Sequence, residues 1–423
     1  MPAYSSDDIS IWCNGRWNVE PPSLISGFKI DARNVSYGEM FVAIEAERDG
    51  HDFVFQAMEN GASAVLVNRP IKELGIPQLI VSDTLMGLHD IARQKRVQFE
   101  GRVIGISGSC GKTSTKDLLS HLLGSKTLKT KGNLNNHLGV PLTLLNLDND
   151  LHNTAVIEVG INSKGEMKSL SELLIPEVVI ITMIGHSHLE GLGSVEETAQ
   201  EKAKLFQYSK KISKLVIHEE CLHYEEFSEW YDTGNPCLIL SEGEPKGEVK
   251  EGTAYYKIWT ETNKIGGSLS LRLWRNESPT LSLSLESMSQ GMCKNVALAV
   301  LVASEMGVSN EEISERLPQY RPSALRGKFF RGRGRTYFVD CYNANPSSMK
   351  DSLDFFTGKF SSLPKLYILG GMEELGSDGP RLHEEAVASL KVDEDDLFVM
   401  VGEKAGSYSS GLLQAGAREE QLV

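Results

Sequence analysis

Gly108-Ser109-Cys110-Gly111-Lys112-Thr113-Ser114 has the residue types and the spacing to hold a row of phosphates. The apolar run Val103-Ile104-Gly105-Ile106 before it predicts a strand. Thr113 to Leu123, with Leu118, Leu119, Leu122 and Leu123 on one side, predicts a helix after it. Glycines let the backbone wrap a phosphate without Cβ clashes, so that successive N–H groups point inward. The helix N-terminus adds positive potential. Lys112 can reach the β- and γ-phosphates, and the Thr113 hydroxyl can ligate Mg²⁺. The segment therefore predicts a site for ATP or another nucleoside triphosphate. The common form, Gly-x-x-x-x-Gly-Lys, has a glycine where this chain has Ile106, so the loop is the shorter Gly-x-x-Gly-Lys-Thr. A glycine-rich turn with a chance lysine is the competing reading, but strand, turn and helix all stand where a phosphate loop needs them.

Other side chains could complete such a site. Glu158 ends an apolar run, Ala155 to Val159, and a carboxylate at a strand end beside a phosphate loop is a natural Mg²⁺ ligand. His188, in Ile184-Gly185-His186-Ser187-His188-Leu189-Glu190, follows the next apolar run, and His186 is an equal candidate by spacing. Lys202 lies in Glu201-Lys202-Ala203-Lys204, which reads either as a solvated charge run or as a lysine facing a metal cluster. Asn133, Asn135 and Asn136, in the glycine- and amide-rich segment from Lys131 to Pro141, could bind phosphates or sugars, or simply shape a turn. Asp340, in Asp340-Cys341-Tyr342-Asn343-Ala344-Asn345-Pro346, stands at a strand end where it could hold ribose hydroxyls, although Asn-Pro is also an ordinary helix entry.

The elements that position these residues alternate strand and helix over 423 residues, too long for one core. Residues 1–98 read as a small α/β module, with strands at 41–44, 64–67 and 79–81 and helices at 53–60 and 85–99. Residues 99–322 read as a central phosphate-loop domain on a parallel sheet. Its strands at 155–159 and 178–182 are nearly continuous apolar runs, as burial on both faces demands. Two strictly alternating segments, 268–273 and 280–285, predict a hairpin covering one sheet edge. Gly327 to Arg335, rich in glycine and arginine, reads as an interdomain hinge. Residues 323–423 then read as a second, Rossmann-like doubly wound domain, shortened at Val423.

Composition narrows the partners. A net charge of −14 disfavours nucleic acid. No run approaches the ~18 apolar residues of a membrane span. The first residues lack a signal-peptide pattern. Six scattered cysteines without a Cys-x-x-Cys pair predict reduced thiols in a cytoplasmic protein.

Taken in order, these segments resemble the Mur ligases, the ATP-dependent amino-acid ligases of peptidoglycan precursor synthesis. The short phosphate loop is similar to that family's variant. So are Thr130-x-Gly132-Asn133-x-Asn135-Asn136-x-x-Gly139-x-Pro141, Glu158-x-Gly160-Ile161-Asn162 and Ile184-Gly185-x-x-His188-Leu189-Glu190-x-x-Gly193-Ser194. Tyr342-Asn343-Ala344-Asn345-Pro346 is typical of the member that joins D-alanyl-D-alanine to UDP-N-acetylmuramoyl-tripeptide. Gly371-Met372-Glu373-Glu374-Leu375-Gly376 and His383 resemble its C-terminal domain. Asp31-Ala32-Arg33, Phe41-Val42-Ala43 and Asp49-Gly50-His51-Asp52-Phe53 resemble its N-terminal domain, which holds the UDP end of the substrate.

The resemblance implies ATP and Mg²⁺ as cofactors, the UDP-linked tripeptide and D-Ala-D-Ala as substrates, and an acyl-phosphate intermediate; a monomer is the expected state. It implies that Gly108 to Ser114 cradle the nucleotide. Thr113, Glu158 and His188 would serve Mg²⁺, and Lys202 would stand where the family carries a carbamylated lysine. Asn295, Arg326 and Asp340 would contact ATP. Asn133, Asn135, Asn136, Tyr342, Asn343 and Asn345 would meet substrate. The chain departs from the family at Met183, usually asparagine, at Cys110, either an inert small residue or a reactive thiol, and in the shortened stretch before Asn295. The family's last strand, with a Lys-Gly-Ser segment, has no counterpart before Val423. A sibling ligase for another amino acid, or a nucleotide-binding protein with turnover impaired by that short end, are the alternatives.

Overall fold

The computed structural model describes residues 3–423 apart from 245–248, 263–267, 276–277 and 324. Its centre is a nine-stranded sheet. From one edge the strands are Thr127–Lys129, Thr154–Glu158, Arg102–Ser107, Val178–Ile181, Lys214–His218, Cys237–Ser241 and Ala254–Thr262, all parallel to their neighbours. Ser268–Arg275 and Ser278–Glu286 follow antiparallel. The expected hairpin is present, but it extends the sheet rather than covering its edge; its turn at 276–277 lies outside the described residues.

Two apolar layers sandwich this sheet. One face packs on helices Lys112–Leu123 and Gln290–Glu305, through Leu118, Leu119, Leu122 and Val296 to Ala303. The other face packs on helices Glu166–Leu174 and Val195–Gln207. This second layer runs without a break into the N-terminal module. Tyr4, Ile9, Met40, Leu66, Leu88 and Ile91 share one cluster with Val103, Leu144, Ile157 and Val179. Arg96, fully buried at the end of helix Thr84–Gln98, donates to Leu174 O and Ile175 O, both at 2.7 Å, and pairs with Glu177. The N-terminal module has its own five-stranded sheet, order Arg16–Trp17, Gln78–Ile80, Ala64–Val67, Glu39–Val42, Gly27–Lys29.

The C-terminal region contains a parallel pair, Leu366–Gly370 with Leu397–Val401, and helices Pro346–Lys359, Gly379–Val387 and Tyr408–Gln414. The glycine- and arginine-rich segment expected as a hinge is instead an antiparallel hairpin, Lys328–Gly332 with Arg335–Val339. Arg333 and Gly334, at φ +50° and +74°, make its turn. Glycine there marks the tight reversal rather than interdomain freedom.

Candidate active site

Strand order explains why distant segments meet. Arg102–Ser107 lies between Thr154–Glu158 and Val178–Ile181, so the loops after all three strands emerge at one sheet end. Ligands of parallel α/β sheets bind beyond the carboxyl ends of the strands. The phosphate loop turns there with Gly108 at φ +145° and Gly111 at φ +83°. A Cβ on Gly111 would stand 2.4 Å from Asn295 Oδ1. Asn295, on helix Gln290–Glu305, thus lies against the loop, with its Oδ1 accepting from Thr115 Oγ1 at 3.3 Å. Gly111→Ala is expected to weaken ADP binding about tenfold while leaving the fold intact. In the variant the empty loop relaxes out of the left-handed backbone, which costs an L residue ~1–2 kcal/mol; ADP binding must restore it, and ~1.4 kcal/mol is a factor of ten in affinity. Calorimetric titration with ADP is the check, and unchanged affinity would refute the loop's part in binding.

Lys112 Nζ folds back onto Gly108 O at 2.8 Å. Burial pulls its pKa down, and Glu158 opposes the fall. Thr113 Oγ1 donates to Glu158 Oε1 at 3.1 Å, and Asn135 Nδ2 donates to the same oxygen at 2.8 Å. Asn136 serves the backbone instead, its Oδ1 accepting from Leu138 N and Gly139 N at the start of helix Gly139–Leu144. Cys110 Sγ lies against Met183 Sδ, and burial pushes the thiol up to about 11, away from the reactive thiolate.

His188 has left-handed backbone, φ +53°, and its ring pairs with Glu374 of the C-terminal domain. Burial lowers its pKa, opposed by Glu374. His188 lines the cleft, whereas His186 is not among its lining side chains. Lys202 is fully buried and its Nζ has no hydrogen-bond partner. Burial holds its pKa well below the usual lysine value, and the Lys112 charge adds to the fall. Lys202 is not among the residues that line the cleft.

The C-terminal domain closes over this end. Arg326 Nη2 donates to Thr113 Oγ1 at 3.2 Å, and its guanidinium covers the Tyr342 ring at 4.1 Å. Asn345 caps helix Pro346–Lys359 through Ser348 N and also donates to Ser109 O at 3.3 Å. Asp351 accepts from Gly291 N at 3.0 Å. Asp340 accepts from Gly327 N and from the Ser352 hydroxyl. These elements enclose a cleft of about 1130 Å³, lined by Ser109 to Ser114, Glu158, Asn295, Arg326, Asp340 and Tyr342. Asn133, Asn135, Asn136, Asn343 and Asn345 line it too.

Sequence spacing does not single out Lys116, His218, Glu220 or Asp351, and gives Glu374 no role. Lys116 is within reach of such reasoning, because it lies one helical turn after Lys112, on the same face. In the N-terminal module, Glu45, Asp49 and His51 cluster closely. They are already satisfied, since Arg69 pairs with both carboxylates, His51 Nδ1 lies 2.6 Å from Asp49, and Asn68 N donates to His51 Nε2.

The sequence profile of the Mur ligase middle domain matches residues 106–303, and that of the Mur ligase glutamate ligase domain matches residues 325–422. The UDP-N-acetylmuramoyl-tripeptide–D-alanyl-D-alanine ligase of Bacillus subtilis is 30% identical over 402 residues, covering 93% of this chain and 83% of the relative. The chain belongs to the Mur ligase family. The ligase of the same name from Escherichia coli is 30% identical over 395 residues, with 90% and 82% covered. Among solved Mur ligases, MurF from Acinetobacter baumannii superposes with a TM-score of 0.86 at 27% identity, covering all of this chain and 89% of that one. The MurF ligase from Thermotoga maritima in complex with ADP shares the fold, at TM-score 0.77 and 24% identity, with 94% and 87% covered. No helix among the described residues is long and apolar enough to cross a membrane.

Proposed function

We propose that the chain is an ATP-dependent ligase that joins D-alanyl-D-alanine to UDP-N-acetylmuramoyl-tripeptide in peptidoglycan precursor synthesis. The observation that carries this reading is the single cleft in which the phosphate loop, Glu158 and the Tyr342–Asn345 segment meet.

In this reading ATP lies with its phosphates along Gly108 to Ser114, and Asn295, Arg326 and Asp340 contact the nucleotide. Glu158 Oε2 is buried without a hydrogen-bond partner, and the Thr113 hydroxyl is bonded to the other oxygen. A buried carboxylate oxygen with an open lone pair beside a hydroxyl fits a hard cation. Thr113, Glu158 and His188 would hold Mg²⁺, which when bound neutralises phosphate charge. Lys202 suits carbamylation: only a neutral amine attacks CO₂, and burial favours the neutral form.

The tripeptide carboxylate attacks the γ-phosphorus and the bond to ADP breaks. Lys112, released from Gly108 O, stabilises the charge on the transferring group. The amine of D-Ala-D-Ala then attacks the acyl phosphate carbon, loses its proton, and phosphate leaves with the C–O electron pair. Arg326 and Asn345, bonded to the loop from the C-terminal domain, keep water from the acyl phosphate. Asn133, Asn135, Asn136, Tyr342 and Asn343 border the space left for the acceptor peptide and the dipeptide. The protein acts as a monomer in the cytoplasm.

The test is phosphate release from ATP and Mg²⁺ with the UDP-linked tripeptide, with and without D-Ala-D-Ala. Release that needs both substrates supports the ligase. Release with a different amino acid would make it a sibling ligase, and ADP binding without release would make it a nucleotide-binding protein.

A further inference from the structure

Lys116 is the second lysine of the phosphate-loop helix, only 2% exposed, and its Nζ stands 3.6 Å from Glu158 Oε2. That oxygen is the one left without a hydrogen bond, while Glu158 Oε1 takes both Thr113 and Asn135. The ammonium has two other neighbours, Asp117 Oδ1 at 3.6 Å and Gly132 O at 3.5 Å. Asp117 in turn pairs with Lys129 at 2.7 Å. Lys116 therefore hangs between the Glu158 carboxylate and the asparagine-rich loop, in loose contact with each. Burying a carboxylate charge is costly unless cations stand near it, and Lys116 and Lys112 both do. Close hydrogen bonding would lock Lys116 onto Glu158, and the longer separation leaves the open oxygen free to be taken by another cation.

We propose that Lys116 is a positioning residue that serves as internal counter-ion to Glu158, holding the carboxylate aimed before the divalent cation arrives, at a cost to that cation's affinity. This rests on the placing of the metal at Glu158 in the function proposed above. When a divalent ion takes Oε2, Lys116 keeps Gly132 O and Asp117 as partners, so no buried charge is stranded. Two cations near one carboxylate repel. Removing Lys116 then destabilises the metal-free protein but tightens metal binding, which a lysine serving packing alone would not do.

The experiment compares wild type, Lys116→Met, Glu158→Gln and the double variant Lys116→Met/Glu158→Gln as full chains. Mn²⁺ is titrated by electron paramagnetic resonance in the presence of ADP, and melting temperatures are read with EDTA and with Mg²⁺. In Lys116→Met the melting temperature should fall in EDTA and recover disproportionately with Mg²⁺, and Mn²⁺ should bind several-fold more tightly. The double variant, with no buried carboxylate to compensate, should regain stability in EDTA. A fall of equal size with and without Mg²⁺, or weaker Mn²⁺ binding in Lys116→Met, would overturn the proposal. If Lys116→Met does not fold, a folded double variant supports the proposal and an unfolded one overturns it. Mn²⁺ binding unchanged by Glu158→Gln alone would instead sink the metal placement at Glu158.

Discussion

Lys112→Ala should lower ligase turnover by about 10³-fold or more, the scale seen when a group that stabilises transferring charge is removed from a preorganised site. Lys112 is the ammonium at the loop itself, and its bond to Gly108 O costs little to break because that carbonyl lies within the loop that phosphates would fill. Its burial is tolerated through the opposing charge of Glu158, a weaker partner than phosphate. Methionine at the position should behave like alanine, since the stem carries none of the effect. Steady-state ADP production with both substrates is the measurement, and a variant that keeps near-normal rates would remove the loop lysine from the mechanism. The protein should still fold, because the amine's bond to Gly108 O lies within the loop itself.

Lys202→Ala should be nearly inactive and should regain part of its rate in millimolar formate or acetate. The amine is fully buried with no hydrogen-bond partner, an arrangement that a purely structural lysine rarely keeps. Carbamylation, as proposed above, would turn the mismatch around: the neutral amine would capture CO₂, release a proton, and become an anion near the Lys112 charge. A small carboxylate diffusing into the space left by alanine restores that charge without the tether. Full activity of the variant, with no response to formate, would eliminate the carbamate. Loss of activity without rescue, but with unaltered ADP binding, would leave Lys202 only a supporting part.

Much of this site can be read from the chain because its parts are local. A glycine pair, a lysine and a threonine at fixed offsets make the phosphate loop, and the run from Ala155 to Glu158 ends where a buried parallel strand must end. The interdomain contacts are not legible in the same way. Nothing in the sequence pairs His188 with Glu374 or Asp351 with Gly291, since each depends on how two separately folded layers meet. The i+4 spacing from Lys112 puts Lys116 on the loop's side of the helix, but a lysine there usually faces water, and its burial against Glu158 comes from tertiary packing. The hairpin at 328–339 passes for a hinge because glycine and arginine signal a turn without saying whether the flanking residues pair. The choice between His186 and His188 needs the turn after Ile181, which residue spacing does not define.

The unbroken apolar layer from Tyr4 to Val179 decides which part of the molecule can move. A body whose halves share a single oily seam cannot swing one against the other without opening that seam to water. The C-terminal domain joins differently: its own core borrows Leu189 from the central domain, and its remaining grip on the phosphate loop is Arg326 and Asn345. The molecule is therefore a fixed bench with one jaw. The bench would hold the long acceptor in register, and the jaw would open and shut on a few polar latches each time a dipeptide is taken in and a product let go.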